Sequence, residues 1–183
     1  MEKILEKFKN HKATRIMKED VEHVIWSSDS CFYYIEYIFI GRTMLIKGDC
    51  GTAVFEFTEK ASSEKIVDYK DWNYYVMSKY SCSDFDKEDL DKEQFQKDID
   101  WWKKDREDLE NIKNTKRILW EIFENSNSIK SYETELAIRI DNDELEYDED
   151  SFWGYGRKRA NEFDVMFKGL ELAVEQLRKV GVL

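Results

Sequence analysis

Seven carboxylates stand within ten positions of this chain: Asp141, Asp143, Glu144, Glu146, Asp148, Glu149 and Asp150. Clustered hard oxygens are what calcium takes as ligands. The spacing does not follow the EF-hand loop, however. Counting from Asp141, the fifth position is Leu145 and the sixth is Glu146, where that loop needs glycine for its turn. Counting from Asp148, the sixth position is Trp153. The run therefore reads as a solvated charged loop or as an acidic face for a basic protein partner. Aromatic side chains adjoin it in residues 151–156, SFWGYG, and make Phe152 and Trp153 candidate apolar anchors. Trp101 is a third. It precedes Trp102 directly, and neighbours on a helix point about 100° apart, so the two cannot both face one core.

Other chemistries find less support. A metal-dependent nuclease needs an acid, then an acid-x-Lys on the next strand. Asp49 and Glu56 have a suggestive spacing across a hairpin, but Phe57 and Thr58 follow Glu56, and Lys60 lies two residues too far on. Cys31, Cys50 and Cys82 form no Cys-x-x-Cys pair, and His11 and His23 are not spaced as zinc ligands. Cys50 sits in a turn, yet nothing in the sequence places a base beside it for nucleophilic catalysis. A glycine-rich phosphate loop is absent. The expectation is no catalytic residue, no metal site and no cofactor. The alternative is a metal-dependent hydrolase using Asp49 and Glu56 or the carboxylates of 141–150.

The elements that must hold these residues can be read from periodicity. An N-terminal helix is expected from Ile4, Leu5 and Phe8 on one face. HVIW, CFYYIEYIFI, TMLIKG and AVFEF are rich in β-branched and aromatic residues and read as strands. Those from residue 31 to 57 form an antiparallel meander, with residues 43–47 as its central strand. Gly48, Asp49 and Gly51 make the corner of its second hairpin: glycines supply positive φ, and an Asp side chain accepts turn N–H groups. Ser62 and Asp71 are expected to cap two short helices. Residues 83–94 read as a charged loop. Phe95, Ile99, Trp102, Leu109 and Ile112 then mark a helix that continues or restarts after Asn114 and stops at NSNS, 125–128. ELAIRI, 135–140, alternates and reads as a strand. A closing helix beginning near Gly156 or Arg157 places Phe163, Met166, Phe167, Leu170, Ala173, Val174 and Leu177 on one face, with Gly181 as its stop.

Composition bounds the whole. With 183 residues, 42% of them hydrophobic, the chain is expected to be a single α+β domain over 1–183: an N-terminal antiparallel β-sheet with helices packed on it and a long amphipathic C-terminal helix. The balance of 40 acidic against 29 basic residues, a formal charge of −11, argues against direct nucleic-acid binding and for a partner with a basic surface. The longest apolar run, residues 37–40, is too short to span a membrane, the N-terminus lacks a signal-peptide pattern, and the three cysteines make no disulfide framework. A cytoplasmic compartment is expected.

The hairpin adds a setting. Residues 44–84 resemble a family of small uncharacterised phage and prophage proteins, in which a strand of the form L-x-I-x-G-D is followed by one residue, a glycine, an aromatic-bearing strand and a Tyr/Phe-containing helix. Leu45, Gly48, Asp49, Gly51, Val54, Phe55, Tyr75, Lys79 and Cys82 carry the likeness, and GLELAVEQL, 169–177, looks like the closing helix of such proteins. The resemblance implies an accessory protein of a phage or mobile element acting inside a bacterial host, with no catalytic residues to transfer. Small acidic proteins in that setting include anti-CRISPR and anti-restriction inhibitors, some of them DNA mimics. Sequence and setting together lead to a non-enzymatic inhibitor of a host defence or nucleic-acid-handling complex, with the carboxylates of 141–150, Phe152, Trp153 and Trp101 as its partner-binding residues. A self-associating structural module is the other non-enzymatic reading.

Overall fold

A computed structural model describes residues 2–29, 32–104, 109–145 and 152–183. In chain order the elements are α1 (Glu2–Lys7), β1 (Lys12–Lys18), β2 (Val21–Ser27), β3 (Ile35–Ile40), β4 (Thr43–Gly48), β5 (Gly51–Glu56), α2 (Ser63–Val67), α3 (Trp72–Met77), β6 (Tyr80–Ser83), β7 (Glu88–Leu90), α4 (Lys92–Lys103), α5 (Leu109–Asn125), α6 (Ile129–Asp141), a 3-10 turn (Phe152–Gly154), β8 (Arg157–Arg159) and α7 (Asn161–Lys179). The fold is α+β, with an antiparallel sheet at the N-terminus and an amphipathic helix at the C-terminus. Two compact units divide it: Met1–Asp86 with Asn161–Leu183, and Lys87–Ala160.

The first unit is built on six antiparallel strands in sequential order, β1 to β6. Strict alternation sends Val24, Trp26, Ile35, Tyr37, Phe39, Met44, Ile46, Ala53 and Phe55 to one face, where all are buried. Against that face lies the apolar stripe of α7, with Phe163, Met166, Phe167, Leu170, Ala173, Val174 and Leu177 buried. Helix and sheet come close at Gly169. A Cβ there would stand 2.4 Å from the Tyr37 hydroxyl, which donates to the Met166 carbonyl at 2.7 Å. Glycine is thus the residue that lets α7 settle onto β3. Glu22 is also buried on this side: its carboxylate accepts from Arg15 Nε at 2.8 Å, from Ser63 Oγ at 2.7 Å and from the Ser63 amide at 2.9 Å, tying β1 and β2 to the start of α2. The alternate residues Ile25, Ile38, Leu45 and Val54 point to the opposite face and stay half-buried, while Ile16 and Ile40 are exposed.

The meander expected from residues 31–57 is present as β3 to β5, with β4 paired on both sides. Strand β1 was not expected, because KATRIMK is charged and lies at an edge with only alternate positions shielded. Ser62 caps α2, accepting from the Lys65 amide at 3.3 Å. Asp71 precedes α3 with left-handed backbone, and its side chain makes no capping bond.

The second unit packs α4, α5 and α6 around Phe95, Ile99, Trp102, Leu119, Ile122, Phe123, Tyr132 and Leu136. Residues 135–140 are helical, which corrects the strand reading of ELAIRI. Tyr132 and Leu136 are fully buried four positions apart, whereas Ile138 is exposed and Ile140 only half-buried, so the short alternation is incidental to a period of 3.6. NSNS ends α5 and also starts α6: Ser128 and Ser131 form a reciprocal capping box. Asn114 lies inside α5, so the break in the helical stretch falls earlier, after Lys103. The closing helix begins at Asn161 rather than near Gly156, because Arg157–Arg159 pair with Glu88–Leu90 as β8 and β7. That pairing also gives the charged loop of 83–94 a strand.

Candidate functional site

The hairpin corner is built for geometry. Gly48 and Gly51 are the last pair of the β4–β5 ladder. Gly48 has φ +152°, and a Cβ there would lie 2.0 Å from the Tyr34 carbonyl oxygen. The next residue makes a two-way clasp with Tyr34: the Asp49 amide donates to the Tyr34 carbonyl at 2.9 Å, and Asp49 Oδ2 accepts from the Tyr34 amide at 3.1 Å. Gly51, at φ +95°, leaves room for Asp84, whose Oδ1 accepts from the Thr52 amide at 2.7 Å. Burial pushes the Cys50 thiol up to about 11, and the charges of Asp49 and Glu162 act in the same direction. The thiolate that a nucleophile requires is therefore disfavoured. Asp49 and Glu56 do not converge. Glu56 pairs with Thr43 at the far end of the ladder and accepts from its hydroxyl at 3.0 Å. Five strand positions separate it from Gly51, roughly 17 Å at the rise of an extended chain. The two-carboxylate metal site suggested by their spacing is corrected accordingly.

The acidic run begins at the C-terminus of α6. Asp141 is that helix's last residue, and Asp143 and Glu144 follow in an exposed turn, with Asp143 at φ +58°. Arg139 Nη1 donates to Glu144 at 2.7 Å and also reaches Glu135 and Glu121. Asp141 and Asp143 make no ion pair among the described residues. Glu146, Asp148, Glu149 and Asp150 lie outside the described residues. On either side of them the chain is anchored in the core, at Leu145 and Phe152. Phe152 is only 3% exposed. It packs edge-on to Trp102 with ring centroids 5.6 Å apart, and its carbonyl accepts from the Tyr132 hydroxyl at 3.0 Å. Its expected role as a surface anchor is corrected, because its ring completes the apolar centre of this unit. Trp153 is half-buried against the same core, and its carbonyl accepts from Arg157 Nε at 2.8 Å.

Trp101 is 70% exposed. It stands on α4 next to Trp102, and Trp102 is the residue that Phe152 packs against. The end of α4 that presents Trp101 is thus the end against which Phe152 packs. Acids at the opposite, N-terminal end of α4 have mixed duties. Asp91 caps α4 through the Gln94 amide at 2.8 Å, which with Lys158 at 3.3 Å holds its carboxyl below the usual range. Glu88 pairs with Arg157 at 3.5 Å, while Asp89 and Glu93 are exposed. Residues 87–160 hold 21 acidic and 14 basic side chains, a formal −7 of the chain's −11.

A polar cluster that sequence reading missed lies on the face of the sheet opposite the one packed on α7. Glu36 on β3 accepts from the Tyr34 hydroxyl at 2.6 Å, with His23 Nε2 of β2 at 2.8 Å and Lys47 Nζ of β4 at 3.3 Å. Burial opposes the charge of Glu36, but the donors around it outweigh that and leave its carboxyl below the usual range. The bond to Glu36 pushes the Tyr34 phenol up to about 12. Glu36 and Lys47 are register partners, so two polar residues isolated in facing apolar strands were the legible signal. Ringed by donors, this carboxylate is held ionised and is a poor general base.

Among the described residues, no group of three or more His, Cys, Asp or Glu side chains is placed to hold a metal ion, and no helix is long and apolar enough to cross a membrane. Comparisons with protein-family models, with curated proteins and with solved structures returned no match.

Proposed function

We propose that the protein is a non-enzymatic accessory factor of a phage or mobile element that binds a host defence or nucleic-acid-handling complex inside the bacterial cell and blocks it. The observation that carries this reading is the concentration of negative charge in residues 87–160, the unit that also presents the exposed Trp101. Acidic side chains at 141–150 would meet a basic groove that otherwise holds DNA or RNA, and Trp101 would supply an apolar contact at the same end of α4. Such an interface associates quickly at low salt and loses affinity as ions screen it, while the aromatic contribution persists.

A band-shift competition tests this. Purified host restriction and RNA-guided nucleases are bound to target DNA, and the protein is added at low and at high salt. Displacement of DNA from one of these complexes, weakened by salt and by Asp148→Lys, Glu149→Lys and Asp150→Lys together, is the expected result. Displacement that the three reversals leave unchanged would sink the DNA-mimic reading.

One observation favours a second reading. On the sheet face that also carries the Glu36 cluster, Ile16 and Ile40 are exposed, and two such isoleucines suit self-association. Light scattering would then report a dimer or larger species, and Ile40→Lys would return it to monomer.

A further inference from the structure

Strand β1 ends the six-strand sheet, so one of its two edges pairs with no strand. In an antiparallel strand the N–H and C=O of one residue point to the same side, and successive residues alternate sides. The turn of Glu19 and Asp20 closes on the pair Lys18–Val21, so Lys18, Ile16, Thr14 and Lys12 bond to β2. Ala13, Arg15 and Met17 therefore direct their backbone groups to the free edge. The Ala13 amide shows it: it donates to Gln176 Oε1 at 2.5 Å, while Gln176 Nε2 donates to the His11 carbonyl at 3.3 Å. One side-chain amide thus makes the two bonds that a peptide group of a neighbouring strand would make. Beyond Ala13 the edge is open. The Arg15 and Met17 amides have no acceptor among the described residues, and Ile16, Met17 and Lys18 are exposed.

Charge decides what can pair there. Lys12, Arg15 and Lys18 lie on β1 with no carboxylate between them, and Lys9 precedes them, in a chain whose net charge is −11. Arg15 is matched by Glu22. Lys9, Lys12 and Lys18 are exposed and make no ion pair among the described residues. Of the acids close by, Asp20 is taken by Lys60 at 2.8 Å, Glu19 stands in the turn beyond Lys18, and Asp29 lines a recess with Lys9 and Lys12. A second copy does not fit this edge. Antiparallel pairing of two β1 strands about Arg15 sets Lys12 opposite Lys18 and arginine opposite arginine, and like charges directly opposite are destabilising. Edge lysines guard against such self-pairing. The same lysines attract a strand that carries carboxylates.

We propose that the free edge of β1 takes up an extended acidic segment of a partner protein as a seventh strand, antiparallel to β1. The Arg15 and Met17 amides donate to its backbone carbonyls, and its backbone amides donate to the carbonyls of the same two residues. Its carboxylates face Lys18 at one end and Lys12 at the other, and its β-branched side chains lie beside Thr14 and Ile16. The Gln176 amide marks where the pairing stops. This surface belongs to the sheet unit and uses none of the residues of the acidic run.

The test is a titration of the full chain, labelled with ¹⁵N-methionine and followed by ¹H–¹⁵N correlation spectra. The Met17 cross-peak is identified by its loss in Met17→Leu. The probes are three heptapeptides, acetylated and amidated at their ends. The first is Glu-Thr-Val-Thr-Val-Thr-Glu. In the second, Lys-Thr-Val-Thr-Val-Thr-Lys, the charge is reversed. The third, Glu-Pro-Val-Pro-Val-Pro-Glu, keeps the charge but lacks the N–H donors that would face β1. The first peptide should move the Met17 peak saturably and slow solvent exchange of that amide at least about tenfold. The other two should bind at least about tenfold more weakly. Lys12→Glu with Lys18→Glu changes two exposed positions, so the fold should tolerate it, and the preference between the first two peptides should reverse. Equal binding of the proline peptide would mean attraction by charge alone and overturn the added strand. An unchanged preference in the doubly reversed variant would overturn the role of the lysines. No movement of the Met17 peak with any peptide would mean that the lysines only guard the edge, and the proposal would fall.

Discussion

The two units use charge and apolar surface differently. In the sheet unit, key carboxylates are turned inward or into clasps: Glu22 binds Arg15 and the start of α2, Glu36 sits among three donors, and Asp49 and Asp84 hold backbone amides. In residues 87–160, carboxylates outnumber cations by seven, and Asp89, Glu93, Asp141 and Asp143 stand exposed. The exposed tryptophan, Trp101, belongs to the second unit. The proposed binding of a basic partner therefore rests on residues 87–160, and it can be altered without touching the sheet unit's core.

The largest contrast is between adjacent tryptophans. Trp102→Ala should cost about 3–5 kcal/mol, as expected for removing a buried aromatic ring, whereas Trp101→Ala should stay within about 0.5 kcal/mol of wild type. Urea denaturation of the two variants measures this directly. Equal losses would mean that Trp101 serves the fold and not a surface. A second contrast sets a glycine of one unit against a glycine of the other. Gly169→Val forces a side chain into the Tyr37 hydroxyl and should cost about 3 kcal/mol through overpacking and a broken buried hydrogen bond. Gly154→Ala meets nothing within 4 Å and should be nearly neutral. Thermal denaturation separates them.

Smaller effects follow from the sheet's polar cluster. Glu36 has its carboxyl lowered on folding, so its contribution to stability is present above the unfolded value, roughly 4.3, and is lost as pH falls through the folded value. Tyr34 is the mirror case. Its phenol is raised to about 12, so its contribution holds below the unfolded value near 10 and disappears as pH rises from there to about 12. In Glu36→Gln the Tyr34 phenol should titrate nearer 10, as followed by the ¹³Cζ resonance of tyrosine. If it stays near 12, the bond to Glu36 is not the cause. The smallest difference is between thiols: Cys50, held protonated, should alkylate more slowly at neutral pH than exposed Cys82, as mapped by peptide mass spectrometry.

What was legible in the sequence follows the same division. Strands β3 to β5 could be read because Tyr37, Phe39, Met44 and Ile46 alternate with half-buried partners, and the stripe of α7 because its apolar positions repeat over about four turns. The edge strand β1 was illegible, since an edge need not be apolar. ELAIRI misled because six residues are too few to distinguish a period of two from 3.6, and its strongest helical signal, the Ser128–Ser131 capping box, lies outside it. Candidate site residues fared likewise. The split between Trp101 and Trp102 follows from helical geometry alone, while the burial of Phe152 depends on Trp102, fifty positions away. Local periodicity does not encode such meetings.

The central claim is that the acidic surface of residues 87–160 blocks a host defence complex. It is tested most directly by plating phage on bacteria that carry restriction or CRISPR defences and express this protein. Wild type should restore plating on at least one defended strain, and the variant with Asp141→Lys, Asp143→Lys, Asp148→Lys, Glu149→Lys and Asp150→Lys should lose that effect while folding normally. Plating that stays blocked on every defended strain, or is restored equally by the reversed variant, would contradict it.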